Sequence, residues 1–251
     1  MKNLLRFETR KLLRKKSFYI CTAVMVVLIL LSIMTLASIA DIDDTFSMMV
    51  ELPGFDAVLQ AVSNSSFTTI AGIFVALFIC EDYEQKTIKL IRSRGNSRTA
   101  IQLSKLMIAG IAVTAMYVVV LLAAFLLGTA YFGTGEIENG KFFSVLGVQY
   151  LACMGELAMV FFISNILRKN GLSITAVIVL PILISILLSL GEIVWYEQDL
   201  RLNDFWISNL SVNLTETTVR NKRLTECLVT ALVYLGVFSA AGVFIGQKRD
   251  L

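Results

Sequence analysis

The sequence predicts an all-α membrane protein that crosses the bilayer six times, and three observations predict it. The 251 residues are 57% hydrophobic and 16% charged, with a mean hydropathy of +0.76, which is more apolar surface than a water-soluble domain of this length can bury. Apolar runs recur at about 17–40, 58–80, 106–133, 142–167, 172–191 and 227–246, each long enough to cross the hydrocarbon as a helix. The cations also alternate between the connecting segments. Of the 22 Lys and Arg, 17 fall in 1–16, 81–105, 168–169 and the last residues, whereas 13 of the 19 acids fall in the other segments. The positive-inside rule then places the first set, and with it both termini, on the cytoplasmic side of the cell membrane. The whole chain, 1–251, reads as one transmembrane domain.

Residues 1–16 carry seven cations against the single acid Glu8, with Leu5, Leu12 and, more loosely, Leu4 and Leu13 on a narrow apolar stripe. This pattern fits an interfacial helix with its cations near anionic head groups; a basic tail that only sets topology is the alternative. The run that follows exceeds a signal-peptide core of about 7–15 residues, so it is expected to stay as a span. The second run is polar in its first half, with Ser63, Asn64, Ser65, Ser66, Thr68 and Thr69. That span is expected to start late or to line a protein interior, and Asn64, Ser66 and Thr69 are candidate pathway residues. Arg168 to Gly171 form a tight turn, and Pro181 is a possible kink in the fifth run. The polar segment 192–226 carries Trp195, Tyr196, Phe205 and Trp206, which suit an interfacial anchor or, alternatively, a gate or peptide-contact surface. Gly242 and Gly246 form a GxxxG in the last run and allow close helix contact.

The segment from Glu81 to Lys105 has its own organisation. Residues 81–92 suit a short helix with acids in the first turn and Lys89 and Arg92 in the last. At helical spacing Tyr83, Thr87, Leu90 and Ile91 share one face, and Asp82, Lys86, Lys89 and Arg92 share the other. Gly95-Asn96 breaks the pattern, and Ser97 is a cap for a second helix that carries Arg98 and Lys105 into the membrane. An ordinary solvated loop is the alternative to a docking element.

Several chemistries are disfavoured. The chain has no histidine, which removes His zinc sites, the usual catalytic triads and His proton relays. The four cysteines lie in or beside apolar runs, which speaks against a disulfide framework or a metal cluster. No Gly-x-x-x-x-Gly-Lys-Ser/Thr occurs, so the chain does not cradle a nucleotide in that way, and it is expected not to be an enzyme. Glu156 lies about midway along the fourth run. A carboxylate at that depth costs roughly 2.5 to 3.5 kcal/mol on insertion scales, so it faces protein or water, as a pathway residue or as a hydrogen-bonded packing residue.

The basic N-terminus, six spans, large last outer segment and the 81–105 segment resemble the permease subunits of ATP-binding-cassette transporters of the type 2 exporter class. The match lies at Glu81 or Glu84, Thr87, Leu90-Ile91, Ser97-Arg98 and Lys105. The chain departs from the pattern with Lys86 where the family often has Gly, and with no proline before Ser97. The resemblance implies a cytoplasmic coupling helix over 81–98 that contacts a separate ATPase subunit through Glu81, Tyr83, Glu84, Thr87, Leu90, Ile91, Arg92 and Arg98. It also implies short outer helices between spans five and six, and a dimer with an identical or similar permease chain bound to two ATPase copies. ATP and Mg belong to that partner; lipid is the other expected contact and nucleic acid is not one.

Small permeases of this kind are similar to those that export or confer immunity to antimicrobial peptides such as bacteriocins and lantibiotics, and others move drugs or lipid-like amphiphiles. A secondary transporter, a channel, and a sensor or scaffold that moves nothing remain as alternatives.

Overall fold

The structure, a computed structural model, describes residues 2–40, 53–63, 65–85, 87–93, 95, 97–135, 142–194, 203–212, 214 and 221–248. Among these residues the chain is helical without a strand. In chain order the helices are α1 (Lys2–Arg14), α2 (Lys16–Ala40), α3 (Gly54–Ser63), α4 (Ser65–Glu84), α5 (Thr87–Ser93), α6 (Arg98–Phe132), α7 (Phe142–Leu167), α8 (Asn170–Val194), α9 (Ile207–Val212) and α10 (Asn221–Lys248), with a 3-10 turn at Asn203–Phe205 before α9. Six of them, α2, α4, α6, α7, α8 and α10, are long and apolar enough to cross a membrane. The chain is therefore a multi-pass membrane protein.

The second apolar run breaks in two. The Ser63 hydroxyl donates to the carbonyl of Leu59 (2.8 Å), and those of Thr68 and Thr69 donate to the carbonyl of Ser65 (3.1 and 2.7 Å). Side-chain hydroxyls that compete for backbone partners favour a break, and α3 ends and α4 begins there. The start of α3 is tied to the end of α6 by Gly54 N–H donating to Gly133 O (2.9 Å).

Helix α6 begins earlier than the apolar pattern indicates. Ser97 caps it by accepting from Ala100 N–H (3.2 Å), and the helix then runs 35 residues to Phe132. Such a helix is about 50 Å long, well beyond the hydrocarbon thickness, so it reaches past the bilayer. The Ser97-capped helix thus carries Lys105 inward as expected, and Lys105 is one of its core positions although the apolar run begins only at residue 106.

Helices α4 and α7 form the centre, and α2, α8 and α10 form the rim. One core joins Phe74 and Phe78 of α4, Val113, Met116 and Val120 of α6 and Phe161 of α7. A second joins Val145, Val148 and Ala152 of α7 to Ile207 and Leu210 of α9 and Ala231 of α10. The rim helices turn apolar residues such as Leu31, Ile182, Leu187 and Val237 outward, as spans in lipid do. Gly242 and Gly246 close the last span against the centre. A Cβ at Gly242 would meet the Phe161 side chain at 2.5 Å, and one at Gly246 would meet the Gln102 side chain at 2.6 Å, so these glycines leave room for side chains of α7 and α6 against α10.

The candidate coupling site at the basic end

Helix α1, the last turn of α4, α5 and the first turns of α6 meet at the end of the bundle that carries most of the cations. Along α1 and just past its end, Leu4, Glu8, Lys11, Leu12 and Lys15 recur at helical spacing and turn toward the protein, while Phe7, Arg10, Leu13 and Arg14 stay exposed. Helix α4 places Leu77, Phe78, Glu81 and Asp82 opposite that face. Two acids at a helix C-terminus oppose the helix dipole, and the lysines offset this.

The ion pairs are largely enclosed. Lys105 Nζ lies 2.8 Å from Asp82 Oδ2 with side-chain exposures of 0% and 2%, and Lys11 pairs with the other oxygen, Oδ1. Lys15 lies 2.6 Å from Glu81 Oε2, and its ammonium donates to Leu77 O (3.1 Å). Both Lys11 and Lys15 stand 5.2 Å over the Phe78 ring, which shields the cluster and adds a cation–π contact. Glu8 is wholly buried, yet neither carboxyl oxygen accepts a hydrogen bond from a described residue. Burial, and then the negative charge of Asp82, push the Glu8 carboxyl above its ordinary range, against the opposing fields of Lys105, Lys11 and Lys15. Burial draws the Lys15 ammonium below the usual lysine range, against the pull of Glu81.

A second network extends this site into the bundle. Tyr83 OH donates to Asn165 Oδ1 of α7 (2.6 Å) and accepts from Gln102 Nε2 of α6 (2.7 Å). Lys105 and Arg168 stand 5.3 and 4.9 Å from the Tyr83 ring. Arg168 takes a left-handed conformation (φ 55°) in the turn between α7 and α8, which aims its guanidinium back across the site. Glu84 closes the far side of that turn by accepting from Asn170 N–H (2.8 Å) at the start of α8.

The expected single helix over 81–92 is in fact two elements. Glu81, Asp82, Tyr83 and Glu84 are the last turn of α4, closed by Gln85 N–H donating to Glu81 O (2.9 Å), and α5 begins at Thr87. Tyr83 and Asp82 therefore share no helix with Thr87, and both turn inward because their partners lie inside. Helix α5 buries Ile88 and Ile91, the latter in a small cluster with Leu4 of α1 and Ile101 of α6. Arg98 donates through its guanidinium to Gln247 O (2.7 Å) and so ties α6 to the end of α10. Lys86 and the side chains of Leu90 and Arg92 lie outside the described residues.

The other candidate residues do not gather here. Glu156 is buried in α7, where it accepts from Ser208 Oγ of α9 (3.0 Å), with the Thr68 side chain of α4 beside it. Ser66 lines a separate cavity of about 200 Å³ between α2 and the α3–α4 break, together with Met25, Ser32, Gln60 and Phe67. Thr69 bonds within its own helix, and Asn64 lies outside the described residues. Of the outer aromatic residues, Trp206 is buried beside Tyr234 and Phe205 is exposed; Trp195 and Tyr196 lie outside the described residues.

Sequence reasoning singled out neither Glu8 and Lys11 of α1, with Lys15 just past its end, nor Gln102 and Asn165. A signal for the first three was present, since the spacing of Leu4, Glu8, Lys11, Leu12 and Lys15 puts three ionisable groups on the face that also carries leucines. Nothing comparable marked Gln102 or Asn165, whose partners are distant in sequence. Among the described residues no group of His, Cys, Asp or Glu could hold a metal ion. What the arrangement can do is mechanical: it fastens three helices to one another through buried charge.

No curated protein matches the chain. Residues 4–190 match the family described as ABC-2 family transporter protein, a stretch from within α1 into α8 that includes every residue of the ion cluster. The chain belongs to the ABC-2 family of transporter proteins, as a membrane component of such a transporter.

Proposed function

We propose that the chain is the permease subunit of an ATP-driven exporter, working with a second permease chain, its own copy or a similar one, and with two copies of a separate ATPase subunit. Membership of the ABC-2 family supports the coarse reading. The observation that carries the finer one is the seating of α5. It lies between the ends of spans two and three and buries Ile88 and Ile91 beside a cluster that ties α1, α4 and α6 together. A push on α5 therefore reaches several helices at once. ATP and Mg are held by the ATPase subunits, whose closure moves α5 and opens the permease dimer outward. The basic end faces the cytoplasm of the cell membrane and both termini lie there, as the distribution of Lys and Arg favours. Thr87, Leu90 and Arg92 of α5 meet the ATPase, whereas Ile91, expected from the sequence as a contact, is buried against the bundle and seats α5 from behind. Glu81, Tyr83, Glu84 and Arg98 support that contact from behind.

The substrate is an amphiphile: an antimicrobial peptide of the bacteriocin or lantibiotic kind, a drug or a lipid-like molecule. The acidic residues of 41–56 and 192–226 complement a cationic amphipathic peptide. A mild-detergent pull-down from the native cell tests the assembly, with α5 intact or reversed in charge at Lys89 and Arg92. An ATPase subunit is expected with the intact chain and not with the reversed one. Its absence from both samples would overturn the reading.

A further inference from the structure

Three acids and three lysines meet at the basic end: Glu8, Lys11 and Lys15 around α1, Glu81 and Asp82 on α4, and Lys105 on α6. Their pairing is uneven. Asp82 holds two ammonium groups and Glu81 holds one, whereas Glu8, as deeply buried as Lys105, holds none. A buried carboxyl without a partner is costly, yet a lysine stands three residues along the same helix. In an α-helix residues three apart share a face, and a Glu placed N-terminal to a Lys is the favourable order.

We infer that Glu8 is a positioning residue for transport: it is an alternative acceptor for Lys11, so the cluster has two arrangements. In the first, the one described above, Lys11 pins α1 to Asp82 of α4. In the second, Lys11 turns back onto Glu8, Lys105 alone stays on Asp82, and α1 is freed from α4 while each charge keeps a partner. Lys15, at the joint between α1 and α2, remains on Glu81 as the pivot. Without Glu8, parting α1 from Asp82 would leave the partly buried Lys11 ammonium without an acceptor, which is unfavourable. Leu4 shares one buried cluster with Ile91 and Ile101, so movement of α1 is passed to α5 and α6. The link to transport rests on the exporter reading; the exchange itself does not.

The test places spin labels at Arg10 and Leu103, both exposed, and measures their separation in lipid nanodiscs, with the chain alone and with its ATPase subunit. Two distance populations are expected, with ATP shifting their ratio in the complex. Glu8→Gln should leave one population, and Glu8→Asp should restore part of the second. Because Glu8 has no partner in the first arrangement, Glu8→Gln should leave the Tm unchanged or higher, while ATP hydrolysis by the complex falls about fivefold or more. Two populations persisting in Glu8→Gln would overturn the inference. So would a Tm loss like that of Asp82→Asn, which would make Glu8 a purely structural residue. If no ATPase subunit joins the unmodified chain, the exporter reading fails, and the populations of the chain alone still decide the exchange.

Discussion

Two buried carboxylates in this protein are stabilised in opposite ways. Asp82, near the basic end, is held between two ammonium groups from different helices. Glu156, deep in α7, accepts from the Ser208 hydroxyl of α9 with the Thr68 hydroxyl of α4 beside it, and no cation is among its hydrogen-bond partners in the described residues. A hydroxyl solvates a carboxyl in either protonation state, so the surroundings of Glu156 tolerate loss of its charge. Two lysines satisfied by one carboxylate tolerate no such loss. The first region is built to fasten helices, and the second to fill a packed interior.

The largest expected effect comes from neutralising the fastening. Asp82→Asn leaves the fully buried Lys105 without its counter-ion even where Lys11 turns to Glu8, and breaking a buried pair in this way costs about 3–5 kcal/mol. A large fall in the detergent Tm, or loss of the monodisperse species in size-exclusion chromatography, would register it. An Asp82→Asn protein as stable as the unmodified chain would remove the distinction between the two regions.

The outlines of both regions were legible in the sequence, but their chemistry was legible only in part. The spans announced themselves by length, because an apolar run of that size has few other stable homes. The polar start of the second run, from Ser63 to Thr69, likewise indicated that the span begins late. The Ser97 cap and the helix that carries Lys105 inward were legible. The Asp82–Lys105 pair was hidden because its two residues lie on different helices, and only the packing of α4 against α6 brings the ammonium to the carboxylate. Glu8 was hidden for a different reason. A basic amphipathic helix has the same pattern whether its apolar stripe meets lipid or protein, and the depth of Asp82 decides between them here.

A middle-sized effect is expected at the neutral network beside the cluster. Tyr83→Phe leaves Gln102 Nε2 and Asn165 Oδ1 without their shared partner, and buried polar groups left unpaired cost about 1–3 kcal/mol. Thermal melts of Tyr83→Phe and Asp82→Asn in the same detergent should rank in that order. The smallest effect is expected at Glu156→Gln. The amide oxygen still accepts from Ser208, so the stability change should stay under about 1 kcal/mol. Export by the reconstituted complex shows separately whether that carboxyl has a task beyond packing. A Tm loss at Glu156→Gln as large as at Asp82→Asn would show that both sites rely on charge.

The measurement that tests the central claim most directly is site-specific photo-cross-linking in the native cell. The reactive residue is placed at Ser93 on α5 in one strain and at Thr134, exposed beyond the other end of α6, in a second. An adduct with an ATPase subunit from Ser93, and none from Thr134, is the result predicted for a basic end that receives the motor. An ATPase adduct from Thr134, or no such adduct from Ser93, would contradict it.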